Sequence, residues 1–255
     1  DLANFRAFRR DKKEAAIALL DNAQELQLSN FEKAKVKMAL ADILVMQEKF
    51  NQALIYYSQV QNLVKNDVMA QDARFKVAKT SYYKGDFEWA KTQLDILKKS
   101  TSQLIANDAM ELSLLINDNS QEDSTQTALK KYARADLLAF QKRNSEAISM
   151  LDTILEIHKG ESIEDEALYT QARLFEEQAS YDKAENNYLQ IIQSYGDDIL
   201  ADNAHYYLAE LYVNKLEHPE KAKTLYEQII FNFANSIYFT DARKKYRQLR
   251  GDILE

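Results

Sequence analysis

Phe50-Asn51-Gln52-Ala53, with Tyr57 and Val60 four and seven residues after the alanine, returns at Phe87-Glu88-Trp89-Ala90 with Leu94 and Leu97. The same frame stands at Tyr181-Asp182-Lys183-Ala184 with Tyr188 and Ile191, and at Glu220-Lys221-Ala222 with Tyr226 and Ile229. Ala16, Ala53 and Ala90 lie 37 residues apart, and Ala147, Ala184 and Ala222 lie 37 and then 38 apart. A small residue followed at that spacing by large apolar ones draws one stripe down a helix. A fixed period in the thirties marks an array of helical hairpins, in which no unit buries its apolar face alone. The architecture is therefore all-α, and it directs function toward holding another polypeptide.

The composition agrees. The 255 residues are 46% hydrophobic and 29% charged, enough for a substantial buried interior. Only four glycines and one proline punctuate the chain. Gly85, Gly160, Gly196 and Gly251 each follow a helical run, where a left-handed cap is expected. Pro219 opens a helix where its missing N–H does no harm. A formal charge of −7 argues against a general nucleic-acid binder. The absence of cysteine excludes disulfide frameworks and cysteine metal sites. No apolar run approaches the roughly 20 residues that a membrane helix needs. Because the chain begins at Asp1 with half of a first hairpin, it reads as part of a longer protein whose targeting segment is unseen.

Apolar periodicity between the turns gives hairpins of a first helix A and a second helix B. The B helices are expected at 12–27, 50–64, 87–100, 144–157, 181–195 and 219–232. The A helices are expected at 1–9 (truncated), 31–47, 68–84, 124–141, 163–178 and 199–215. The step from Ala90 to Ala147 is 57, one period plus 20 residues. The surplus holds an inserted helix at 103–117 (Ile105, Ala109, Leu112, Leu115, Ile116) and a polar loop from Asn117 to Ser124. One added helix reverses the up–down order, so either the loop runs back along the helix or the stack bends there. The expected organisation is a single array over 1–255. Its parts are repeats 1–3 over about 1–100, the insert over 103–124, repeats 4–6 over 124–235 and a capping helix over 236–250. In that last helix Phe239, Ala242, Tyr246 and Leu249 form an apolar stripe, and Arg243, Lys244, Lys245, Arg247 and Arg250 decorate the rest. It reads as a cap, with contact to an anionic partner or membrane surface as the alternative.

No catalytic, cofactor or metal site is expected. His158, His205 and His218 lie in different repeats or at different helix ends, without an HExxH-type pair. The acidic stretch Asp118–Thr125 fails as a calcium loop: Asp123 stands at the sixth position, where glycine is needed, and Leu129 at the twelfth, where glutamate is needed. Four scattered glycines build no phosphate-binding turn.

The repeating residues are similar to the tetratricopeptide repeat (TPR) family over nearly the whole chain. Leu208-Ala209, Tyr212, Ala222 and Tyr226 match its pattern, as do Ala172, Tyr181, Ala184 and Tyr188. Lys37, Arg74, Lys131, Leu168 and His205 replace the family's early tryptophan. Lys159, Gly196 and Ala234 replace the closing proline. The resemblance implies a right-handed α-α superhelix of about six hairpins, with A helices lining a concave face that holds a protein or peptide. Carried along the frame, one inner position is Met38, Phe75, Tyr132, Tyr169 and Tyr206, an aromatic ladder. Four residues later come Asp42, Lys79, Asp136, Arg173 and Glu210, and one turn further Val45, Tyr82, Ala139, Glu176 and Val213. The ladder reads equally as partner contact or as packing between A helices. The alternating signs of the second row disfavour the carboxylate-clamp class of TPR.

The candidate partner-binding residues are thus Met38, Phe75, Lys79, Tyr82, Tyr132, Asp136, Tyr169, Arg173, Tyr206 and Glu210. Tyr207-Leu208-Ala209-Glu210-Leu211-Tyr212, Tyr226-Glu227-Gln228-Ile229-Ile230 and the run Asn235 to Arg243 look like bacterial cell-envelope TPR proteins. These are the outer-membrane assembly lipoproteins and Tol–Pal-associated periplasmic proteins, with similar arrays in Bacteroidetes. The implied function is a non-catalytic adaptor, periplasmic or attached peripherally to the outer membrane through a lipidated N-terminus. Alternatives are a cytoplasmic co-chaperone or assembly adaptor, and the binding module of a larger enzyme or signalling protein. Self-association through Phe5, Phe8, Leu19 and Leu20 is a further expectation.

Overall fold

In the computed structural model of the protein, residues 12–121 and 125–252 are described, and among them thirteen helices and no strand are found. In chain order they are α1 (Lys13–Gln24), α2 (Asn30–Met46), α3 (Phe50–Leu63), α4 (Val68–Lys84), α5 (Phe87–Leu97), α6 (Gln103–Gln121) and α7 (Thr127–Phe140). They continue with α8 (Asn144–Ile157), α9 (Ile163–Glu177), α10 (Tyr181–Ser194), α11 (Ala201–Asn214), α12 (Pro219–Asn232) and α13 (Phe239–Arg250). The helix expected over 1–9, with Phe5 and Phe8, lies outside the described residues. The chain divides into two compact units, Asp1–Ala147 and Ile148–Glu255, within α8. The insert is no boundary, because α6 packs on α4, α5 and α7 inside the first unit.

The repeated alanines are the pivots of the hairpins. Ala16, Ala53, Ala90, Ala147, Ala184 and Ala222 are all wholly buried, each on a second helix. In the first unit Ala53, Tyr57 and Val60 of α3 share a cluster with Ala34, Met38, Ala41, Leu44 and Val45 of α2. In the second, Ala184, Tyr188 and Ile191 of α10 pack with Leu168, Ala172 and Phe175 of α9. Small residues on facing helices let the backbones approach while their large neighbours interdigitate.

The turns repeat as faithfully as the helices. Between A and B the backbone turns left-handed once per hairpin, at Glu48 (φ 59°), Gly85 (86°), Lys142 (62°), Ala179 (56°) and Glu217 (55°). These residues hold one frame position, and only Gly85 avoids the Cβ clash of that conformation. Gly160 and Gly251 also adopt positive φ, whereas Gly196 does not. The expectation of a left-handed cap fails at Gly196. Tyr195 closes α10 there, donating its N–H to the Ile191 carbonyl.

The inserted helix is longer than its apolar pattern: α6 continues to Gln121, so most of the expected loop is helix. Polar residues support the last turn by bonding back one turn. Asn119 Nδ2 donates to the Leu115 carbonyl at 2.9 Å and the Ser120 hydroxyl to that of Ile116 at 2.5 Å. The remainder of that loop, 122–124, lies outside the described residues. The next helix, α7, starts at Thr127 and buries Ala128, Leu129, Tyr132, Ala133, Ala135, Leu137 and Leu138, positions spread around its circumference. A helix buried on several sides is an interior element.

In the second unit α13 packs along α12. Ala242 is wholly buried, with Tyr246 and Leu249 against the same cluster, while Arg243, Lys244, Arg247 and Arg250 stay exposed. This amphipathic division suits a helix that closes a hairpin stack.

Candidate interaction face

The two units present the A-helix face differently. In the first, α7 lies against it. Lys79 Nζ of α4 meets the Asp136 carboxylate of α7 at 2.6 Å, and Tyr83 and Phe140 rings are 6.1 Å apart. At the end of α2, the Gln141 side chain donates to the Met46 carbonyl at 3.1 Å and Arg134 pairs with Glu48 at 2.8 Å. Leu137 enters the cluster that holds Met38, Val45 and Val77. Of the residues expected to face a partner, Tyr82 is wholly buried, and Met38 and Tyr132 expose only 9% and 7%. These three are packing residues in this structure. Tyr82 is covered because α5 and α7 close over the end of α4, with its ring 5.8 Å from Phe87. Lys79 and Asp136 are half-buried and paired with each other, and Phe75 is half-buried.

In the second unit the aromatic residues gather into one sheet of rings. Tyr206 stacks on Tyr238 at 4.2 Å, and Tyr207 lies 5.5 Å from Tyr206 and 6.0 Å from Tyr169. The Arg173 guanidinium sits over Tyr207 at 4.0 Å and pairs with Glu176 at 2.9 Å. Tyr169, Tyr206, Tyr207 and Tyr238 are all half-buried, and Arg173 is exposed. Rings that keep an open edge beside a cation of fixed geometry present large area with little conformational freedom left to lose.

Two acidic members of the second inner row, Asp42 and Glu210, are each tied by a tyrosine and a lysine, while Asp136 is held by Lys79. The Tyr57 hydroxyl donates to Asp42 at 2.6 Å and Lys76 binds the same carboxylate at 2.7 Å. In the other unit Tyr226 donates to Glu210, which Lys245 approaches at 2.5 Å. The tyrosines follow their alanines by four residues in both cases. Where the inner residue is Arg173, the tyrosine of that hairpin, Tyr188, donates instead to Glu176 at 2.5 Å. A buried phenol beside a carboxylate forms a strong charge-assisted bond and leaves neither group unsatisfied. Periodicity placed Asp42 and Glu210 in one row but not their partners. The signal was available in Tyr57, Tyr188 and Tyr226, whereas Leu94 and Leu151 carry no hydroxyl at that position.

Tyr206 takes part in this network as well as in the ring sheet. Its hydroxyl donates to Asp241 at 2.6 Å and accepts from Lys245 at 3.1 Å. Burial and the bond to Asp241 push the Tyr206 hydroxyl up to about 12. Glu210 is likewise committed to the fold. Among the described residues no group of three or more histidines and carboxylates gathers to hold a metal. No described helix is long and apolar enough to cross a membrane.

No family model matches the chain, and no curated protein matches its sequence. Among solved structures it is similar to the TPR domain of P58(IPK), at 16% identity and a TM-score of 0.40. That match covers 97% of this chain and 63% of the other, so the chain spans less than two thirds of that relative. It is similar to YrrB, described as a TPR protein with an unusual peptide-binding site, at 17% identity and a TM-score of 0.40 over 83% of this chain and 92% of that one. It is also similar to PilF of Pseudomonas aeruginosa, at 15% identity and a TM-score of 0.37 over 98% and 94%. Among the described residues the fold is all-α, built of helical hairpins that turn on buried alanines and recurring left-handed residues.

Proposed function

We propose that the chain is a non-catalytic scaffold that holds a protein or peptide segment against the A-helix face of its second unit. The observation that carries this reading is the half-buried ring sheet of Tyr169, Tyr206, Tyr207 and Tyr238 with the exposed Arg173 beside it. An occupant that fits is an extended or helical segment anchored by apolar side chains, with an acidic group opposite Arg173. Tyr206 and Glu210 act as the floor of the site, since their polar atoms are already engaged within the fold. The setting we propose is a bacterial cell-envelope complex, periplasmic or at the outer membrane. Its support is the wording of the last two repeats, from Tyr207-Leu208-Ala209 to Asp241-Ala242-Arg243.

The test is affinity capture with the intact array, followed by Tyr169→Ala combined with Arg173→Glu. The expected result is a folded, helical variant that no longer retains the captured partner. Undiminished capture by that folded variant overturns the placement of the site. Fractionation of the native cells tests the proposed compartment separately.

A further inference from the structure

Two clefts in the first unit occupy the same frame positions one period apart, and they differ in how a central cation is satisfied. The smaller, of about 440 Å³, is lined by Gln24, Lys37, Gln52, Ile55, Tyr56 and Gln59. There Lys37 of α2 is held within the fold. Its ammonium donates to the side-chain oxygens of Gln59 at 2.8 Å and Gln24 at 3.4 Å, and lies 5.2 Å from the Tyr56 ring. One period of 37 carries Gln24, Lys37 and Gln59 to Gln61, Arg74 and Ile96. Ala16, Ala53 and Ala90 fix this register, since all three are wholly buried on α1, α3 and α5. Gln61, Arg74 and Ile96 all line the larger cleft, of about 490 Å³.

In the larger cleft the acceptor is gone, because the Ile96 side chain has no atom that takes a hydrogen bond. Arg74 is half-buried, and among the described residues it makes no side-chain hydrogen bond, ion pair or ring contact. Lys65 and Lys99 stand exposed on the rim and are likewise unpaired. Asp67 is the one carboxylate of the lining, and it caps α4 by accepting from the Met69 N–H at 2.8 Å. A chain of formal charge −7 thus carries a locally cationic cleft. Its walls are braced. The Ser100 hydroxyl donates to the Gln71 side-chain oxygen, and Gln71 Nε2 donates to the Thr101 hydroxyl at 3.0 Å, tying α4 to the segment after α5. A cleft braced in this way loses little conformational freedom when it takes a ligand.

We propose that this cleft binds a small phosphomonoester whose remainder carries hydroxyl groups. The planar guanidinium of Arg74 matches two phosphate oxygens, and Lys65 and Lys99 add charge at the rim. A phosphomonoester carries close to two charges above neutral pH, which suits three cations facing one carboxylate. The amides of Gln61, Asn62 and Asn66 supply donors and acceptors for hydroxyls. Ile96, 53% exposed, offers an apolar edge to the carbon skeleton of a sugar. The volume falls within the roughly 300–1,000 Å³ of small-molecule sites.

The test is calorimetric titration of the full chain at pH 7.5 and low salt with glucose 6-phosphate, inorganic phosphate and glucose. The expected result is saturable binding of glucose 6-phosphate, at least fivefold tighter than inorganic phosphate, and no binding of glucose. Arg74→Gln is expected to weaken it at least tenfold. Ile96→Gln restores the acceptor that Gln59 gives Lys37 and changes no charge, so it is expected to weaken binding at least threefold. Circular dichroism checks that both variants keep their helices. Tyr169→Ala, in the other unit, is expected to leave the affinity unchanged, so this site and the proposed partner face fail or stand separately. Absence of saturable binding, or unchanged affinity in Arg74→Gln or Ile96→Gln, overturns the proposal. Equal affinity for glucose 6-phosphate and inorganic phosphate overturns it as well, since the cleft then holds a bare ion only. So does sedimentation with phosphatidic acid vesicles that Arg74→Gln abolishes, because the phosphate then belongs to a lipid surface.

Discussion

Lys79 and Asp136, 57 residues apart in sequence, meet at 2.6 Å, and they hold the same inner position on their respective A helices. The separation equals the anomalous step between Ala90 and Ala147. Both α6 and α7 reach α4, the second across its A-helix face. Each partner keeps roughly a quarter of its side chain exposed, so the pair gains more than a fully solvated one. A double-mutant cycle with Lys79→Met and Asp136→Asn is expected to give a coupling of about 0.5–1.5 kcal/mol in chemical denaturation. Additive single effects would show that α7 is held by Leu137 and Phe140 alone.

The left-handed turns offer a sharper test, because one backbone position is sampled by five different residues. Ala179 sits at φ 56°, where its Cβ is strained, and no side-chain bond compensates an alanine. Ala179→Gly is expected to stabilise the second unit by about 0.5–1 kcal/mol, and Gly85→Ala to destabilise the first by a similar amount or more. Thermal midpoints measure both. A lower midpoint for Ala179→Gly would contradict the shared geometry of these turns.

Tyr226 is wholly buried and its hydroxyl donates to Glu210, which Lys245 also binds. Removing the hydroxyl keeps the packing and leaves one carboxylate lone pair unmatched. Tyr226→Phe is expected to cost about 1–2 kcal/mol, and Tyr57→Phe a like amount through Asp42. Ala184→Asp is a far harsher change, placing an unpaired charge and extra volume at a wholly buried contact. Its expected cost is roughly 3–5 kcal/mol, read as a large fall in thermal midpoint.

The helices were legible because their signal is local. The frame around Ala53 places α3 at Phe50–Leu63 against an expected 50–64, and that around Ala184 places α10 at Tyr181–Ser194 against 181–195. Asp118, Asn119 and Ser120 read as loop because they are polar, yet α6 runs on through them, with Asn119 and Ser120 bonding back to carbonyls one turn earlier. The candidate site was legible in part. Tyr169, Arg173 and Tyr206 do share a face, whereas Tyr82 shares its frame and is sealed by α5 and α7. That sealing depends on where a helix 57 residues away comes to rest, which no periodicity encodes.

His205 supplies a pH dependence whose sign follows from its burial. It lies on α11 with its ring 5.2 Å from Phe233 and Nδ1 2.8 Å from the Ala201 carbonyl, to which it donates. Burial lowers its pKa below the usual 6.5, against the smaller opposing pull of the Ala201 and Gln228 hydrogen bonds. Above about pH 6.5 neither the folded nor the unfolded chain protonates this ring, and its contribution is flat. As pH falls below that value the unfolded chain takes up a proton that the fold refuses, so stability is lost. The loss levels off once the pH passes below the depressed folded value. Comparing the chain with His205→Leu removes the contribution of every other titrating group. The thermal midpoint of the unsubstituted chain is expected to drop more than that of the variant between pH 7.5 and 5.5. Parallel curves would mean that the imidazole is hydrated in solution and that α11 and Phe233 are not packed as described.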